Sequence, residues 1–328
     1  MFRSTRSLLS IIVPCYNEQE VIEQTYFRLV EALEPLAMQL EFVLVNDGSQ
    51  DATLPILQRL AAVDARVRVV NLSRNFGHQL AVTAGIDAAR GDAVVLIDAD
   101  LQDPPAVILQ MVERWRAGFD VAFGRRTARA GESRFKRWTA RLFYRLINHV
   151  SDVPIPLDAG DFRLMDRRVV EALKQMPERD RFLRGMVSWV GFRQTDVLYE
   201  RAPRAAGESK YPLRKMLRLA IDGILSFSLA PLKAATLLGL IATSLSLLGG
   251  LATLLALLIS PVALSGWLLV LLGLFFLGGA QLLCLGILGE YIGRIYQEIK
   301  RRPLYFVQEE QAAALDDTAQ TDPHRAAA

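Results

Sequence analysis

Two carboxylates stand one residue apart directly after an apolar segment of the chain. Asp98 and Asp100 follow residues 93–97, Ala-Val-Val-Leu-Ile, a run typical of a buried β-strand. In an extended segment, side chains two positions apart point to the same side, and two like charges held together need a cation between them. Such oxygen ligands favour Mg²⁺ or Mn²⁺. A helix-capping loop before Pro104 and Pro105 is the alternative that this pattern alone leaves open.

Polar residues also follow the other apolar segments of the first half of the chain. They are Cys15-Tyr16-Asn17-Glu18, Asp47-Gly48-Ser49 and Ser73-Arg74-Asn75. In a parallel sheet, the loops after the carboxyl ends of the strands bind ligands. An aromatic ring there can stack on a base, although a plain turn with a helix cap explains Asp47-Gly48-Ser49 equally well. Neither a dinucleotide-binding glycine motif nor a P-loop motif occurs, so a nucleotide would be held in another way.

Strand and helix patterns alternate through the first part of the chain. Apolar strand segments occur at residues 9–14, 42–46, 67–72, 93–97 and 120–123, and helical periodicity occurs at about 18–34, 51–63, 78–89 and 104–117. This alternation predicts an α/β fold with a mostly parallel sheet and helices on both faces.

A long segment from about residue 234 to 289 is nearly free of charge, and it predicts two membrane spans at about 235–259 and 266–289. Basic residues lie before the first span and after the second, so the positive-inside rule places both termini in the cytoplasm. The pattern of residues 210–230 is amphipathic and predicts a helix in the membrane interface, with a core helix of the globular domain as the alternative.

These patterns divide the chain into four parts. We predict a cytoplasmic domain that carries the candidate site at residues 1–209, the interfacial helix at 210–230 and a two-helix transmembrane hairpin at 231–296. Residues 297–328 are predicted to be a cytoplasmic tail that is disordered after about 308. The predicted location is therefore the inner (cytoplasmic) membrane.

The net charge of +3 conceals two basic clusters, at residues 125–145 and 201–218. Because the second cluster directly precedes a predicted span, the clusters indicate anionic lipid or phosphate as a partner, and we expect no nucleic acid. With 3 histidines spread along the chain, a zinc site is not expected, and the 2 cysteines are interpreted as packing residues.

Taken in order, several motifs make a recognisable set. They are Val13-Pro14-Cys15-Tyr16-Asn17-Glu18, Asn46-Asp47-Gly48-Ser49, Ser73-Arg74-Asn75-Phe76-Gly77, Asp98-Ala99-Asp100-Leu101-Gln102-Asp103-Pro104-Pro105, Gly160-Asp161-Phe162-Arg163, Gly207-Glu208-Ser209-Lys210-Tyr211 and Leu288-Gly289-Glu290-Tyr291-Ile292-Gly293-Arg294. Over residues 8–307 the chain resembles family 2 glycosyltransferases with the GT-A fold. It is most similar to the polyprenyl-phosphate enzymes related to dolichol-phosphate mannose synthase and bacterial undecaprenyl-phosphate glucosyltransferase. Asn46 departs from the family pattern, in which many relatives have an aspartate.

The resemblance implies inverting transfer of one sugar from a nucleotide-sugar, with UDP-glucose expected, to undecaprenyl phosphate, with Mg²⁺ or Mn²⁺ as cofactor. The same reaction with UDP-aminoarabinose is an alternative, and so is a transporter or lipid-flipping component. Against transport, the two predicted spans contain no charged residue that would line a polar path. A hydroxyl acceptor, a polymer product and a scaffold are further alternatives. A homotetramer is implied by the resemblance alone.

The resemblance also implies roles for individual residues. The nucleotide-sugar would contact Pro14, Tyr16, Glu18, Asp47, Ser49, Asp98 and Arg184, and the metal would bind Asp98, Asp100 and Gln102. The lipid phosphate would contact Arg125, Lys136, Arg137, Arg204, Ser209 and Lys210. Asp161 is the candidate base or acceptor-orienting carboxylate, with Asp158 as its alternative and Asp100 also at the reaction centre. Asp161 would otherwise form a structural salt bridge to Arg163 or Arg167, and Arg184 a surface ion pair.

Overall fold

The computed structural model describes residues 7–127, 159–179, 181–200 and 266–312, together with scattered helical positions between 232 and 251. The chain divides into two compact units. The first, which we call the sheet unit, comprises Met1–Tyr144, Val153–Lys210 and Pro303–Ala328, and the second, the helical unit, comprises Arg145–Asp152 and Tyr211–Arg302.

Within the described residues, the sheet unit contains one sheet of eight strands: β1 Leu8–Cys15, β2 Gln39–Asn46, β3 Val67–Leu72, β4 Ala93–Leu96, β5 Val121–Arg126, β6 Ala159–Asp166, β7 Gln194–Tyr199 and β8 Val307–Ala312. Their order across the sheet is β7-β5-β6-β4-β1-β2-β3-β8. β1 pairs in parallel with β2 and β4, β2 with β3, and β5 with β7. β6 and β8 run against their neighbours. The predicted α/β fold with a mostly parallel sheet is confirmed.

The helices of the sheet unit are α1 Ile22–Leu33, α2 Thr53–Val63, α3 His78–Ala88, α4 Val107–Arg116, α5 Arg167–Lys174 and α6 Leu183–Trp189. Their apolar faces recur at three- and four-residue spacing: α1 buries Ile22, Tyr26, Leu29 and Leu33. α3 lies close against the sheet because Gly85 has no side chain, and a Cβ there would be 2.3 Å from Ile12 Cγ2. The four helices predicted from the sequence are confirmed with boundaries shifted by a few residues.

The prediction that the tail is disordered after about residue 308 is wrong as far as Ala312. β8 pairs with the edge of β3, and Arg68 Nε lies 3.1 Å from Glu310 Oε1 across this pair. Just before β8, the Tyr305 hydroxyl donates to Asp87 Oδ2 at 2.7 Å. The polar sequence of β8 suits an edge strand, which is held by backbone hydrogen bonds without a buried face of its own.

The helical unit contains α7, which runs from Gly266 to Ile299. Its segment Phe276–Ile299 is long and apolar enough to cross a membrane, and of the described part of the chain only this segment meets both criteria. The helix continues past the predicted end at residue 289. In this extension Glu290 and Arg294, one turn apart, form an ion pair at 3.6 Å. Two transmembrane helices are thus not confirmed: the interfacial helix at 210–230 and most of the first predicted span lie outside the described residues.

Candidate active site

The sheet brings Asp98 and Asp161 together although they are far apart in sequence. β6 runs antiparallel to β4 with Leu96 opposite Arg163, and extending this register past the end of β4 places Asp98 opposite Asp161. Because side chains alternate along a strand, both carboxylates lie on one face of the sheet. The antiparallel β6 thus adds its first residues to the edge where the carboxyl ends of β1 to β4 meet.

An imidazole lies between these two carboxylates. His78 Nε2 is 3.7 Å from Asp98 Oδ1 and 3.5 Å from Asp161 Oδ2. Burial by itself lowers the pKa of His78, but the hydrogen bond with Asp161 and the charges of both carboxylates outweigh burial and raise it. His78 was not among the site residues predicted from the sequence. The feature that could have indicated it is its position as the first residue of α3, directly after a polar loop.

Asp161 is held by three side chains. Arg184 Nε donates to Asp161 Oδ1 at 2.7 Å, and Gln79 Nε2 donates to Oδ2 at 3.3 Å, where His78 also lies. Burial favours the neutral acid, but the nearby Arg184 charge and these hydrogen bonds outweigh it and hold the pKa of Asp161 well below its usual range. A carboxylate with so low a pKa is a poor proton acceptor, so the arrangement favours orientation over general-base chemistry.

Neither Arg163 nor Arg167, the alternative partners of Asp161, forms a salt bridge with its carboxylate. Arg163 Nε donates instead to the Asp161 backbone carbonyl at 3.3 Å. Arg163 Nη2 donates to the Gly160 carbonyl at 2.8 Å, and Arg167 Nε donates to the Gly91 carbonyl at 2.8 Å. The partner of Asp161 is instead Arg184. The structure therefore places Arg184 in this cluster rather than in a separate surface ion pair.

Asp98 has an unusual environment for a carboxylate. Its Oδ1 is buried and has no hydrogen-bond donor among the described residues. Burial raises the pKa of Asp98, and the charge of His78 opposes this effect only in part. A desolvated carboxylate oxygen of this kind is stabilised by a cation, so the residues fit a divalent metal ion.

The other predicted metal ligands lie in the same loop. Asp100 Oδ1 accepts a hydrogen bond from the Gln102 amide at 3.2 Å. The part of the chain that the structure describes contains no group of three or more His, Cys, Asp or Glu side chains that would enclose an ion by themselves. Two carboxylates would leave most coordination positions to water and phosphate oxygens, as is usual for Mg²⁺.

Asp47 is turned inward, not towards the open edge of the sheet. Its carboxylate is buried and accepts from the backbone amides of Phe76 at 2.7 Å and Gly77 at 3.0 Å. Burial raises the pKa of Asp47, and these two hydrogen bonds oppose the increase. Asp47 therefore shapes the loop that leads into α3 and His78, and its contact with a nucleoside stays a prediction.

The loops after β1 and β2 are joined by hydrogen bonds. Ser49 Oγ accepts from the Asn17 amide at 3.0 Å, and the Glu18 amide donates to Thr53 Oγ1 at 2.9 Å. Pro14 lies within β1, whereas the Tyr16 ring is exposed. The Ser49 hydroxyl thus supports the neighbouring loop. Stacking of the exposed Tyr16 ring on a base stays a prediction.

The predicted contacts for the lipid phosphate are only partly described. Arg125 is half-exposed on β5, and its Nη1 lies 3.0 Å from Asp196 Oδ2 on β7. Arg125 therefore has a surface ion-pair partner, and its contact with the lipid phosphate stays a prediction. The other predicted phosphate contacts lie outside the described residues: Lys136, Arg137, Arg204, Ser209 and Lys210. Asp158, the alternative to Asp161, also lies outside them.

We expect Gly48→Ala to destabilise the sheet unit by about 2–4 kcal/mol, the combined scale of backbone strain and overpacking. Gly48 has a φ of +64°, and a Cβ there would lie 2.3 Å from the Arg74 carbonyl carbon and 2.5 Å from the Asn75 amide nitrogen. Thermal unfolding measures the effect. Gly77→Ala is the matched control, because Gly77 has a φ of +99° but no atom within 4 Å of its Cβ position, so its Tm should fall less. Equal falls would contradict the close packing of the two loops.

Comparisons with known proteins agree on one family. The model of Glycosyl transferase family 2 matches residues 10–174, a range that includes Asp98 and Asp161. The uncharacterized glycosyltransferase YkcC of Bacillus subtilis (strain 168) is 49% identical over 91% of this chain and 93% of that protein. The SfII prophage-derived bactoprenol glucosyl transferase of Shigella flexneri is 45% identical over 92% of this chain and 97% of that protein.

Two further similarities have lower identity. A prophage bactoprenol glucosyl transferase homolog of Escherichia coli (strain K12) is 44% identical over 92% of this chain and 98% of that protein. Among solved structures, glucosyl-3-phosphoglycerate synthase from Mycobacterium tuberculosis matches with a TM-score of 0.45 and 20% identity, over 67% of this chain and 78% of that one.

Proposed function

Since this chain belongs to glycosyl transferase family 2, we propose that it transfers one sugar from a nucleotide-sugar to a polyprenyl phosphate, giving a lipid-phosphate-linked sugar. Relatives named as bactoprenol glucosyl transferases, aligned over nearly the full length of both chains, support the acceptor. The observation that carries the chemistry is the buried Asp98 oxygen without a hydrogen-bond donor in the described chain, beside Asp161, His78 and Arg184. The proposed donor is UDP-glucose, with UDP-aminoarabinose as the alternative.

Asp98 and Asp100, with Gln102 beside them, would hold a divalent cation, Mg²⁺ or Mn²⁺. Such a cation, when bound, neutralises charge on the diphosphate of the donor. The orphaned Asp98 oxygen supports this assignment because a bound cation would remove the cost of burying it.

In the proposed reaction, an oxygen of the lipid phosphate forms a bond to the anomeric carbon of the sugar. The bond from that carbon to the diphosphate breaks, and its electron pair leaves with the nucleoside diphosphate, so the configuration inverts. A phosphate monoester has its second pKa near 6, so much of the acceptor is already ionised at neutral pH. The reaction therefore needs no strong base, in keeping with the low pKa of Asp161.

The main energetic cost is to bring an anionic acceptor against an anionic donor. Arg184 supplies positive charge beside Asp161, where the His78 imidazole also lies. Asp161 in turn fixes the orientation of the Arg184 guanidinium through the 2.7 Å hydrogen bond. We propose that these three residues position the reacting groups, with Asp161 as an orienting carboxylate.

For the membrane arrangement, we propose that α7 anchors the enzyme in the cytoplasmic membrane, with the sheet unit and both termini on the cytoplasmic side. The exposed apolar side chains of Phe276, Leu282 and Leu285 support a lipid environment for this helix. A second span at about 235–259 remains part of this proposal, as does a homotetramer.

The test is to incubate the purified protein with Mg²⁺, undecaprenyl phosphate and a panel of radiolabelled nucleotide-sugars. We expect label from UDP-glucose to enter the chloroform–methanol extract, and no label with undecaprenol, which lacks the phosphate. Labelling of undecaprenol would indicate a hydroxyl acceptor, and label in polysaccharide a polymerase. Lipid movement in vesicles without any nucleotide-sugar would favour the transporter. Each of these outcomes overturns the proposal.

A further inference from the structure

The loop that carries the predicted metal ligands has a strained backbone. Leu101, between Asp100 and Gln102, has a φ of +56°, a value that residues with a Cβ adopt only at a cost. The Leu101 side chain is nevertheless buried, so the loop is held in this conformation by its surroundings. The far end of this loop is at Asp103.

That end is fixed by a buried carboxylate. Asp103 is only 3% exposed, and its Oδ1 accepts from the Tyr199 hydroxyl at 2.5 Å. Hydrogen bonds to an ionised carboxylate are shorter and stronger than those between neutral groups. Burial and the Asp103 charge raise the pKa of Tyr199 to about 12, so its hydroxyl keeps its proton at neutral pH.

Tyr199 is itself rigidly placed at the end of β7. Its ring meets Phe162 edge to face, with centroids 5.7 Å apart, and Gly124 leaves the space for it, since a Cβ there would lie 2.7 Å from Tyr199 Cε1. The Tyr199 carbonyl accepts from the Thr127 amide at 3.0 Å and from the Thr127 hydroxyl at 3.1 Å. Tyr199 therefore packs on β5 and on the residue next to Asp161 in β6.

We propose that Tyr199 and Asp103 are a positioning pair, which fixes the loop of Asp98 and Asp100 relative to the strand that carries Asp161. This inference rests on the proposed function, because it concerns the residues assigned there to the metal. The pair contacts neither substrate nor metal. It acts by holding the loop of Asp98 and Asp100 at a fixed position relative to Asp161, as residues behind the metal ligands do in other metal sites.

Tyr199→Phe tests the pair because it keeps the ring against Phe162 and Gly124 and removes only the hydroxyl. We expect Mn²⁺ binding, measured by calorimetry in the presence of UDP, to weaken about tenfold, the low end of the loss seen when such supporting residues are removed. The transfer rate should need correspondingly more Mn²⁺ for half-saturation and should return towards wild type when Mn²⁺ is saturating.

The chain offers a matched control in Tyr26→Phe. The Tyr26 hydroxyl donates to Asp64, its ring is also buried and stacked edge to face on Phe42, and burial and Asp64 likewise raise its pKa to about 12. Asp64 precedes β3, at the edge of the sheet opposite to Asp98. Both variants should lose a similar amount of thermal stability, and only Tyr199→Phe should lose Mn²⁺ affinity.

Wild-type Mn²⁺ affinity in Tyr199→Phe, or the same loss in Tyr26→Phe, would overturn the proposal. If Tyr199→Phe does not fold, Asp103→Asn replaces it, because the amide oxygen can still accept from Tyr199 through a weaker, uncharged bond. Asp103→Asn should then weaken Mn²⁺ binding, and unchanged binding would overturn the proposed positioning pair.

Asp98→Asn separates the positioning pair from the proposed metal site. If Asp98→Asn loses Mn²⁺ binding and Tyr199→Phe does not, the pair fails and the proposed function stands. If the wild type itself binds no Mn²⁺, the proposed metal site fails first.

Discussion

Asp98→Asn is expected to lower the rate of sugar transfer by at least about 10²-fold, the scale of losing one preorganised electrostatic contact. The buried Asp98 Oδ1 has no hydrogen-bond donor among the described residues, so its charge is available to a cation in a way that an amide oxygen is not. The measurement is the initial rate of lipid-linked sugar formation over a range of Mg²⁺ and Mn²⁺ concentrations. The variant should also show little response to added metal.

A control for this variant lies at the other end of the same strand. Asp92 directly precedes β4, and its Oδ2 accepts from the Leu8 amide at 2.9 Å. Asp92→Asn makes the same chemical change at the opposite edge of the sheet, so it should keep both the rate and the metal response. If Asp98→Asn were as active as Asp92→Asn, Asp98 would not be part of the catalytic site.

The second large effect is expected for Asp161→Asn, with a loss of about 10² in kcat/KM, since a misplaced reacting group costs on this scale. The pKa of Asp161 is held below its usual range, so the group stays ionised at every pH above its ordinary value of about 4. Its charge therefore does not change between pH 6 and 9. Because Asp161 also raises the pKa of His78, the titration of His78 should move to lower pH in the variant. Outside the pH range of that titration, the profiles of wild type and variant should run parallel, at different heights.

A general base would behave differently, and a double variant adds a second check. If Asp161 accepted a proton during the reaction, the variant would also lose a limb of the pH profile that the titration of His78 does not explain. Because Arg184 Nε and Asp161 Oδ1 are 2.7 Å apart, the losses in Arg184→Gln and Asp161→Asn should not add in the double variant. Fully additive losses would show that the two residues act separately. Activity near wild type in Asp161→Asn would remove it from the mechanism.

The pKa of Asp161 also has a consequence for stability. A carboxylate whose pKa is lower in the folded than in the unfolded chain stabilises the fold above the unfolded value. This contribution is lost as the pH falls through the lower, folded value. The free energy of unfolding at neutral pH therefore includes a contribution from the ion pair of Asp161 with Arg184, and this contribution is lost in acid.

Local patterns were sufficient to predict the strand before Asp98 and the position of Asp98 at the edge of the sheet. An apolar run such as residues 93–97 predicts a buried strand without knowledge of the neighbouring strands. A polar residue directly after such a strand lies at the edge of the sheet. The neighbour of Asp98 could not be predicted in this way. Asp161 reaches it because β6 runs antiparallel to β4 in a particular register, and register depends on contacts between distant segments.

His78 and Asp47 show a second limit of sequence patterns. A polar residue at the start of a helix usually has a local role, so its position in the sequence does not predict that His78 lies between two distant carboxylates. Asp47 follows a strand just as Asp98 does, and its pattern predicts the same exposure. The structure turns it inward because the amides of Phe76 and Gly77, which come from the next loop, satisfy its oxygens.

β8 is the segment with which the chain returns to the sheet unit. The backbone leaves the sheet unit, passes through the segment that contains α7, and returns at Pro303 to complete the sheet beside β3. The catalytic half of the molecule is thus finished only by residues translated after the apolar helix. A protein cut short before Pro303 would leave the backbone groups of β3 open to pairing with other molecules, and side-by-side aggregation is the expected result.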